Sequence, residues 1–172
     1  MYGNLISELE ATDPNQIWVS DITYIRTLED FEYLSLITDL HSHKIVGYHI
    51  SERLDAEESL KALDQALEDL PNDKYPIHHS DRGSQYCSHE YVGRLQERHL
   101  PVSMTEINHC AENSVAERLN GILKQEYGLG RTFLNRQQAR RSVDEAVWLY
   151  NNRRPHTKLD YRMPSEVHRQ AA

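Results

Sequence analysis

The sequence has little cysteine and no long apolar run. Among its 172 residues only Cys87 and Cys110 are cysteines, which are too few for a disulfide framework and lack paired metal-ligand spacing. We expect both to be reduced thiols. No apolar stretch approaches the roughly 18 residues that a membrane-spanning helix needs, and the N-terminus lacks the basic and then apolar pattern of a signal peptide. These absences argue against redox and membrane functions and predict a cytoplasmic protein with no membrane partner.

The sequence also lacks the net positive charge that is common in proteins that bind nucleic acid. It has 19 Lys and Arg against 27 Asp and Glu, for a formal net charge of −8. However, residues 1–110 hold 8 basic and 20 acidic side chains, whereas residues 111–172 hold 11 basic and 7 acidic ones. This segregation fits a basic surface that faces nucleic acid, and it fits a solvated helical face rich in arginine equally well.

Strand patterns dominate the first part of the chain. They span residues 17–26, 33–40 and 44–50, and the short polar turns between them indicate an antiparallel meander. Asp55 opens a capping box and a helix with an apolar face, which returns the chain to a fourth strand.

Helix patterns dominate the second part. The fourth strand ends at Asp81, and we then expect a helix over 90–98 and a short strand over 100–104. Another helix begins near residue 113 or 114, and a last long helix covers 135–152. Together these elements predict one domain of a mixed α/β layer fold.

Three acidic residues stand out by their positions. Asp21 lies in the middle of a strand among apolar and β-branched neighbours, where Asp is disfavoured and costly to bury unless it is paired or bound to a metal. Asp81 ends another strand and Glu117 lies in the first turn of a helix, with 35 residues between them. If the two strands are neighbours and the helix crosses their ends, the three carboxylates converge. A divalent cation would offset their repulsion, and hard oxygen ligands suit Mg²⁺ or Mn²⁺.

Each acid also has a purely structural interpretation. Asp21 could hydrogen-bond a neighbouring loop, Asp81 could cap a turn or a helix, and Ser114 with Glu117 has the form of a capping box. Acidic residues are common in this sequence, so the spacing alone does not decide between a metal site and three separate caps.

Four motifs in order favour the metal site: WVSDITYI, HSDRGSQY, ENSVAERLNGILKQE and YNNRRPHTKLDYRMPSEV. They cover about residues 14–166 and resemble the catalytic core of bacterial insertion-sequence transposases of the IS-three group, which are similar to retroviral integrases. The resemblance implies a ribonuclease H-like fold with a five-stranded mixed sheet, three antiparallel strands first, flanked by helices. Residues 1–14 are then an N-terminal linker, and residues 15–168 an integrase-like catalytic core with a basic C-terminal segment.

The resemblance also implies an activity, which is DNA strand cleavage and 3′-OH strand transfer in transposition. The family's Asp-Asp-Glu triad falls on Asp21, Asp81 and Glu117, as catalytic residues that bind two Mg²⁺ or Mn²⁺ ions when DNA is present. The implied partners are transposon ends and target DNA, with a homo-oligomer as the active form, in the bacterial cytoplasm. The alternatives are a ribonuclease H-like nuclease without strand transfer and an inactive DNA-binding or assembly domain.

Basic and polar residues near the triad are candidates for contact with DNA. They are Arg82, Ser84 and Gln85 after the second aspartate, Asn113 and Lys124 on either side of the glutamate, and Arg153, Arg154 and Lys158 in the C-terminal segment. Alternatively, Lys124 is an ordinary solvated lysine, and the C-terminal residues pack on the acidic half of the domain.

The sequence departs from the family pattern at two places. Glu112 stands where many relatives have aspartate, and Asn108 stands at a glycine position, so we expect this loop to be shifted. The resemblance leads us to expect that the helix-turn-helix region, which recognises terminal repeats in the family, lies outside these residues. The chain therefore resembles an isolated catalytic domain, and its acidic balance predicts weak DNA binding on its own.

Overall fold

A five-stranded mixed sheet forms the centre of the protein in the computed structural model, which describes residues 2–106 and 114–169. The strands are β1 (Ile17–Arg26), β2 (Phe31–Asp39), β3 (Ile45–Ser51), β4 (Ile77–Ser80) and β5 (Val102–Met104), in the spatial order β3-β2-β1-β4-β5. The first three pair antiparallel, whereas β4 and β5 continue the sheet in parallel with β1. The predicted mixed sheet that begins with an antiparallel meander is confirmed.

Five α-helices flank this sheet among the described residues. They are α1 (Ala56–Glu68), α2 (His89–Glu97), α3 (Ser114–Gln125), α4 (Arg136–Arg153) and α5 (Pro164–Arg169), with a short 3-10 helix at Thr157–Leu159 before the last. The predicted cap of α1 is present, since the Asp55 side chain accepts a hydrogen bond from the Glu58 N–H at 3.0 Å. Within the described ranges, no helix combines the length and the apolar character needed to cross a membrane.

The strand predicted over residues 100–104 is shorter than expected. It begins at Val102, because the N–H of Leu100 is bonded to the Leu95 carbonyl at the end of α2 and Pro101 has no N–H to donate. The loop predicted around Asn108, with Glu112 and Asn113, lies outside the described residues.

The two faces of the sheet carry separate apolar cores, because consecutive residues of a strand point in opposite directions. On β2, Leu36 packs with α3 and α4, whereas the next residue, Ile37, packs with α1 and α2. On β1, Ile25 belongs to the α3 side and Trp18 to the α1 side. Asp21 has the same parity as Ile25, which directs its side chain towards the face covered by α3.

Polar contacts hold α4 against the sheet near both of its ends. Near its start, the Arg140 guanidinium forms two hydrogen bonds of 3.1 Å with the fully buried carboxylate of Glu32. Near its end, the Asn151 side chain accepts from the N–H of Ile45 and donates to the Ile45 carbonyl, both at 2.9 Å. The helix that precedes the basic C-terminal segment is therefore fixed in position relative to β2 and β3.

The N-terminal residues contact the sheet edge. The Gly3 carbonyl accepts a hydrogen bond from the Met104 N–H at 3.1 Å, and the Leu5 N–H donates to Ser103 Oγ at 2.9 Å. Ile6 is buried. The segment before β1 thus lies along β5. Strand β5 in turn is the neighbour of β4, which leads into Asp81.

Candidate active site

Two of the three predicted acids lie side by side where β1 and β4 stop pairing. Strands β1 and β4 are parallel neighbours, and their paired register runs as far as Ser20 and Ser80. Asp21 and Asp81 follow these two residues directly, and both side chains line one cleft. The first of the two conditions for convergence, that the two strands be neighbours, is met.

The Asp21 carboxyl is in an environment that disfavours its negative charge. Its pKa is raised from 3.8 to about 6, chiefly because burial desolvates it, and the charges of Asp81 and Glu117 raise the pKa further. Hydrogen bonds from the Ile22 backbone and from Asn120 act in the opposite direction without cancelling this effect. No basic side chain among the described residues forms an ion pair with Asp21. The site therefore has unneutralised negative charge in a partly buried place.

Asp81 combines a turn contact with access to the cleft. Its Oδ1 accepts a hydrogen bond from the Gly83 N–H at 2.8 Å, which is the turn cap that the structural interpretation proposed. A Cβ at residue 83 would lie 2.9 Å from that same Oδ1, so glycine permits the close approach. The side chain is exposed, and one carboxylate oxygen makes no hydrogen bond with a described residue. A turn cap and a ligand role are thus compatible at this residue.

Glu117 is the more distant member of the set. It lies exposed in the first turn of α3, and its charge raises the pKa of Asp21 less than that of Asp81 does. Across residues 2–106 and 114–169, no three His, Cys, Asp or Glu side chains are close enough together to hold a metal ion. The two aspartates nevertheless suit a divalent cation by charge and ligand type, because both offer carboxylate oxygens and neither has a cationic partner in this part of the chain.

Asn120 is a site residue that the sequence analysis missed. Its side-chain amide donates a 2.6 Å hydrogen bond to Oδ2 of Asp21 and so fixes the orientation of that carboxylate. It lies three residues after Glu117 and four before Lys124, on one face of α3, and this spacing is the signal that would have found it. Lys124 lies on the same side, with its Nζ 5.3 Å from the ring centre of Tyr24 on β1. The stripe of α3 beside Asp21 and Tyr24 is thus polar, whereas Leu119 and Leu123 pack in the apolar core with Ile25 of β1.

Asp21→Asn is expected to stabilise the metal-free protein at neutral pH. A raised carboxyl pKa means that the folded state binds the proton more tightly than the unfolded state. The resulting cost is absent below about pH 4 and complete above about pH 6. The asparagine can still accept the bond from Asn120, so the free energy of unfolding should rise by about 3 kcal/mol at pH 7.

Urea denaturation in EDTA, repeated from pH 7 down to pH 4, measures this gain. The difference between wild type and Asp21→Asn should shrink as the pH falls, whereas the exposed control Asp13→Asn should show no comparable trend. A difference that does not depend on pH would contradict the assigned cause.

The predicted contacts after Asp81 occupy an exposed turn beside the cleft. Arg82 Nε donates to the Thr105 carbonyl at 2.7 Å, which ties this turn to the end of β5. Gln85 lines the cleft together with the two aspartates, and Ser84 is exposed on the same turn. These three residues are therefore placed next to the aspartates. Asn113 lies outside the described residues.

The three C-terminal residues predicted to contact DNA differ in whether an ion pair neutralises their charge. Arg154 makes two hydrogen bonds of 2.7 Å with the Glu126 carboxylate, which neutralises it. Arg153 lies over the ring of Trp148, with 5.5 Å from Cζ to the ring centre. Lys158 is exposed and has no ion pair with a described residue. Only Arg153 and Lys158 therefore offer an unneutralised charge.

The mixed sheet, the helices on both of its faces and the aspartates on adjacent parallel strands together define a ribonuclease H-like protein. Sequence profiles described as integrase core domain match residues 11–110 and residues 98–164. The first match alone covers more than half of the chain. The chain therefore belongs to the integrase core domain family.

Proteins of bacterial insertion sequences are similar to this chain over most of its length. It is 39% identical over 158 residues to the insertion element IS600 uncharacterized 31 kDa protein of Shigella sonnei. The aligned region covers 91% of this chain and 58% of that protein. It is 36% identical over 154 residues to the transposase InsF for insertion sequence IS3A of Escherichia coli (strain K12), covering 89% and 54% respectively. The chain thus spans a little over half the length of these curated relatives. The predicted resemblance to IS-three transposases is confirmed.

Solved structures of retroviral integrases share the fold. The HTLV-2 integrase catalytic core domain in complex with magnesium, in its trimeric form, matches with a TM-score of 0.73 at 21% identity, covering 92% of this chain and 99% of that one. A chain in the structure of the simian T-cell lymphotropic virus intasome in complex with PP2A regulatory subunit B56 gamma gives a TM-score of 0.78 at 21% identity. That match covers 98% of this chain and 58% of the other. At this identity the likeness establishes the ribonuclease H-like fold.

Proposed function

We propose that this chain is the catalytic core of a bacterial insertion-sequence transposase, which cleaves a DNA strand and transfers its 3′-OH end to another strand. The observation that carries the proposal is the position of Asp21 and Asp81 directly after the paired segment of the neighbouring parallel strands β1 and β4, with no cationic side chain of the described residues to neutralise them. Membership of the integrase core domain family and similarity to insertion-sequence transposases support it.

Asp21 and Asp81 would hold Mg²⁺ or Mn²⁺ in this proposal, with Glu117 as the third ligand and two ions bound when DNA is present. Such ions activate an attacking oxygen and stabilise the leaving oxygen at phosphorus. The Asn120 amide and the Ile22 backbone N–H donate to the Asp21 carboxylate, and the Gly83 N–H donates to one oxygen of Asp81. This chain therefore orients both carboxylates before any ligand binds.

The surroundings of the aspartates suit a DNA strand. Tyr24, Tyr33 and Gln85 line the cleft, so aromatic rings and an amide lie beside the acids. We propose Arg82, Ser84, Gln85, Asn113, Lys124, Arg153, Arg154 and Lys158 as the residues that contact DNA. The partners would be transposon ends and target DNA, in the bacterial cytoplasm, with a homo-oligomer as the active form. Recognition of the terminal repeats by a helix-turn-helix region outside this chain stays a prediction.

A strand-transfer assay tests this function against its two alternatives. The chain is incubated with Mn²⁺, a labelled duplex that carries a preformed 3′-OH end, and a target duplex, with EDTA as the control. Joined product that requires Mn²⁺ supports the transposase. Shortened strands without joined product would indicate the nuclease, and DNA binding without any chemistry would indicate the assembly domain.

A further inference from the structure

A cavity of about 170 Å³ lies next to α3, away from the aspartates. Its basic and aromatic lining comes from α3, the end of α4, the segment after α4 and the turn between β2 and β3. The lining residues used below are His43, Arg118, Tyr150, Arg154, His156 and Lys158.

Helix α3 separates this cavity from the proposed active site. Successive residues of an α-helix are about 100° apart around its axis. Asn120 and Lys124 therefore form one stripe with Glu117, towards Asp21 and Tyr24. Arg118 and Ile122 fall on the other side of the helix and line the cavity. The cavity is a separate site that shares only the helix with the carboxylates.

The cavity carries excess positive charge. The charge of Arg154 is offset by its ion pair with Glu126. Arg118 and Lys158 are exposed, and neither forms an ion pair with a residue of the described ranges. About two positive charges are thus left over on the cavity wall, which is a suitable environment for an anion.

A buried histidine adds an unused hydrogen-bonding atom. His156 is 8% exposed, and its Nε2 is buried without a hydrogen-bond partner. The ring is held in place by stacking on His43 at 5.7 Å between ring centres and by edge contact with Tyr150 at 5.1 Å. Leaving a buried polar atom without a partner is costly, so a ligand that accepts a hydrogen bond from its N–H would be favoured.

The electrostatics of the two histidines reflect burial and the positive charge of the cavity wall. Burial lowers the pKa of His156 to about 4, and the positive charges of Arg154, His43 and Arg118 contribute to the shift. Burial also lowers the pKa of His43, with a contribution from Lys158. Negative charge nearby, from Glu126 and Asp39 respectively, does not offset these effects.

We propose that this cavity binds a phosphate group of the DNA backbone, with Arg118, Lys158 and the Nε2–H of His156 as its ligands. The choice of DNA as the source of the phosphate rests on the proposed function. An α-helix with its side chains is about 10–12 Å across, so this phosphate belongs to a different nucleotide from the one at the aspartates. Contact on both sides of α3 would fix the position of the helix, and hence of Glu117, relative to the DNA.

The test compares the double variant Arg118→Ala/Lys158→Ala with the control Arg98→Ala/Arg141→Ala. Both remove two exposed positive charges that have no ion pair among the described residues, so the net charge change is matched. Inorganic phosphate is titrated while the ring signals of His156 are followed by NMR. We expect a saturable shift in the wild type, in the control and in Asp81→Asn, and its loss in Arg118→Ala/Lys158→Ala.

DNA binding by fluorescence anisotropy, at several salt concentrations, identifies the source of the phosphate. Arg118→Ala/Lys158→Ala should weaken duplex binding about tenfold and reduce the salt slope by about one, relative to the control. A phosphate-dependent shift without this loss would mean that the cavity takes a free phosphate and would overturn the DNA assignment. No phosphate shift in the wild type, or an equal loss of DNA binding in the control, would overturn the site itself.

The same experiments distinguish this proposal from the proposed function. If Asp81→Asn retains the phosphate shift and the DNA affinity while the wild type joins no strands, strand transfer is refuted and the cavity site stands. If strand transfer occurs but phosphate leaves the His156 signals unchanged, the cavity proposal alone is refuted.

Discussion

Asp81→Asn is expected to abolish strand cleavage and strand transfer, with a loss of at least ~10³-fold in rate. The amide can still accept the hydrogen bond from the Gly83 N–H, so the turn should be retained. It carries no charge, however, and is a much weaker ligand for Mg²⁺ or Mn²⁺. The rate of joined product in the strand-transfer assay, together with calorimetric titration by Mn²⁺, measures the two losses.

The control for this prediction is an acid far from the cleft. Asp73→Asn removes one exposed negative charge between α1 and β4 and should retain both the rate and the affinity for Mn²⁺. If Asp81→Asn keeps wild-type activity, the carboxylate serves only as the cap of the turn at Gly83, and the proposed metal site is wrong.

Gly47→Ala is expected to destabilise the fold by more than ~3 kcal/mol, or to prevent folding. Gly47 lies on β3 where α1 crosses the sheet. A Cβ there would be 2.1 Å from the Ala62 carbonyl oxygen and 2.9 Å from the Ala66 Cβ. Because the first of these atoms belongs to the backbone of the helix, a rotamer change cannot relieve the clash. Urea denaturation followed by circular dichroism gives the change in unfolding free energy.

Gly93→Ala is the matched control for this substitution. Gly93 lies within α2, and an added Cβ meets no atom within 4 Å. Alanine should therefore stabilise the protein by about 0.5–1 kcal/mol, through its better helix propensity. Equal unfolding midpoints for Gly47→Ala and wild type would show that α1 does not pack this closely on β3.

Local rules allowed much of the secondary structure to be predicted. The Asp55 cap set the start of α1, and the Asn135 side chain accepts from the Gln138 N–H at the start of α4, as its Asn-x-x-Gln opening predicts. These signals depend on residues three or four positions apart, so they are readable from the sequence. The late start of β5 at Val102 was missed because it depends on Leu95, which belongs to another element.

The acids themselves were also readable, since Asp21 in an apolar strand and Asp81 at a strand end violate local preference. Whether Asp21 and Asp81 lie close together could not be read from the sequence, because it depends on which strands pair. Their proximity required β1 and β4, about 60 residues apart, to be parallel neighbours, and this pairing depends on how the helices cover the two faces of the sheet. The part of Glu117 in the site stays a prediction, as does the metal.

The sequence by itself determined the secondary-structure elements, the family and the residues that violate local structural preference. The tertiary structure decided which of them are neighbours. It joined Asn120 to Asp21 across 99 positions, neutralised Arg154 with Glu126 across 28, and left Arg118 and Lys158 unpaired beside His156. The reason is physical: propensity and capping act within one or two turns of chain, whereas desolvation and charge depend on distances in space that only packing sets.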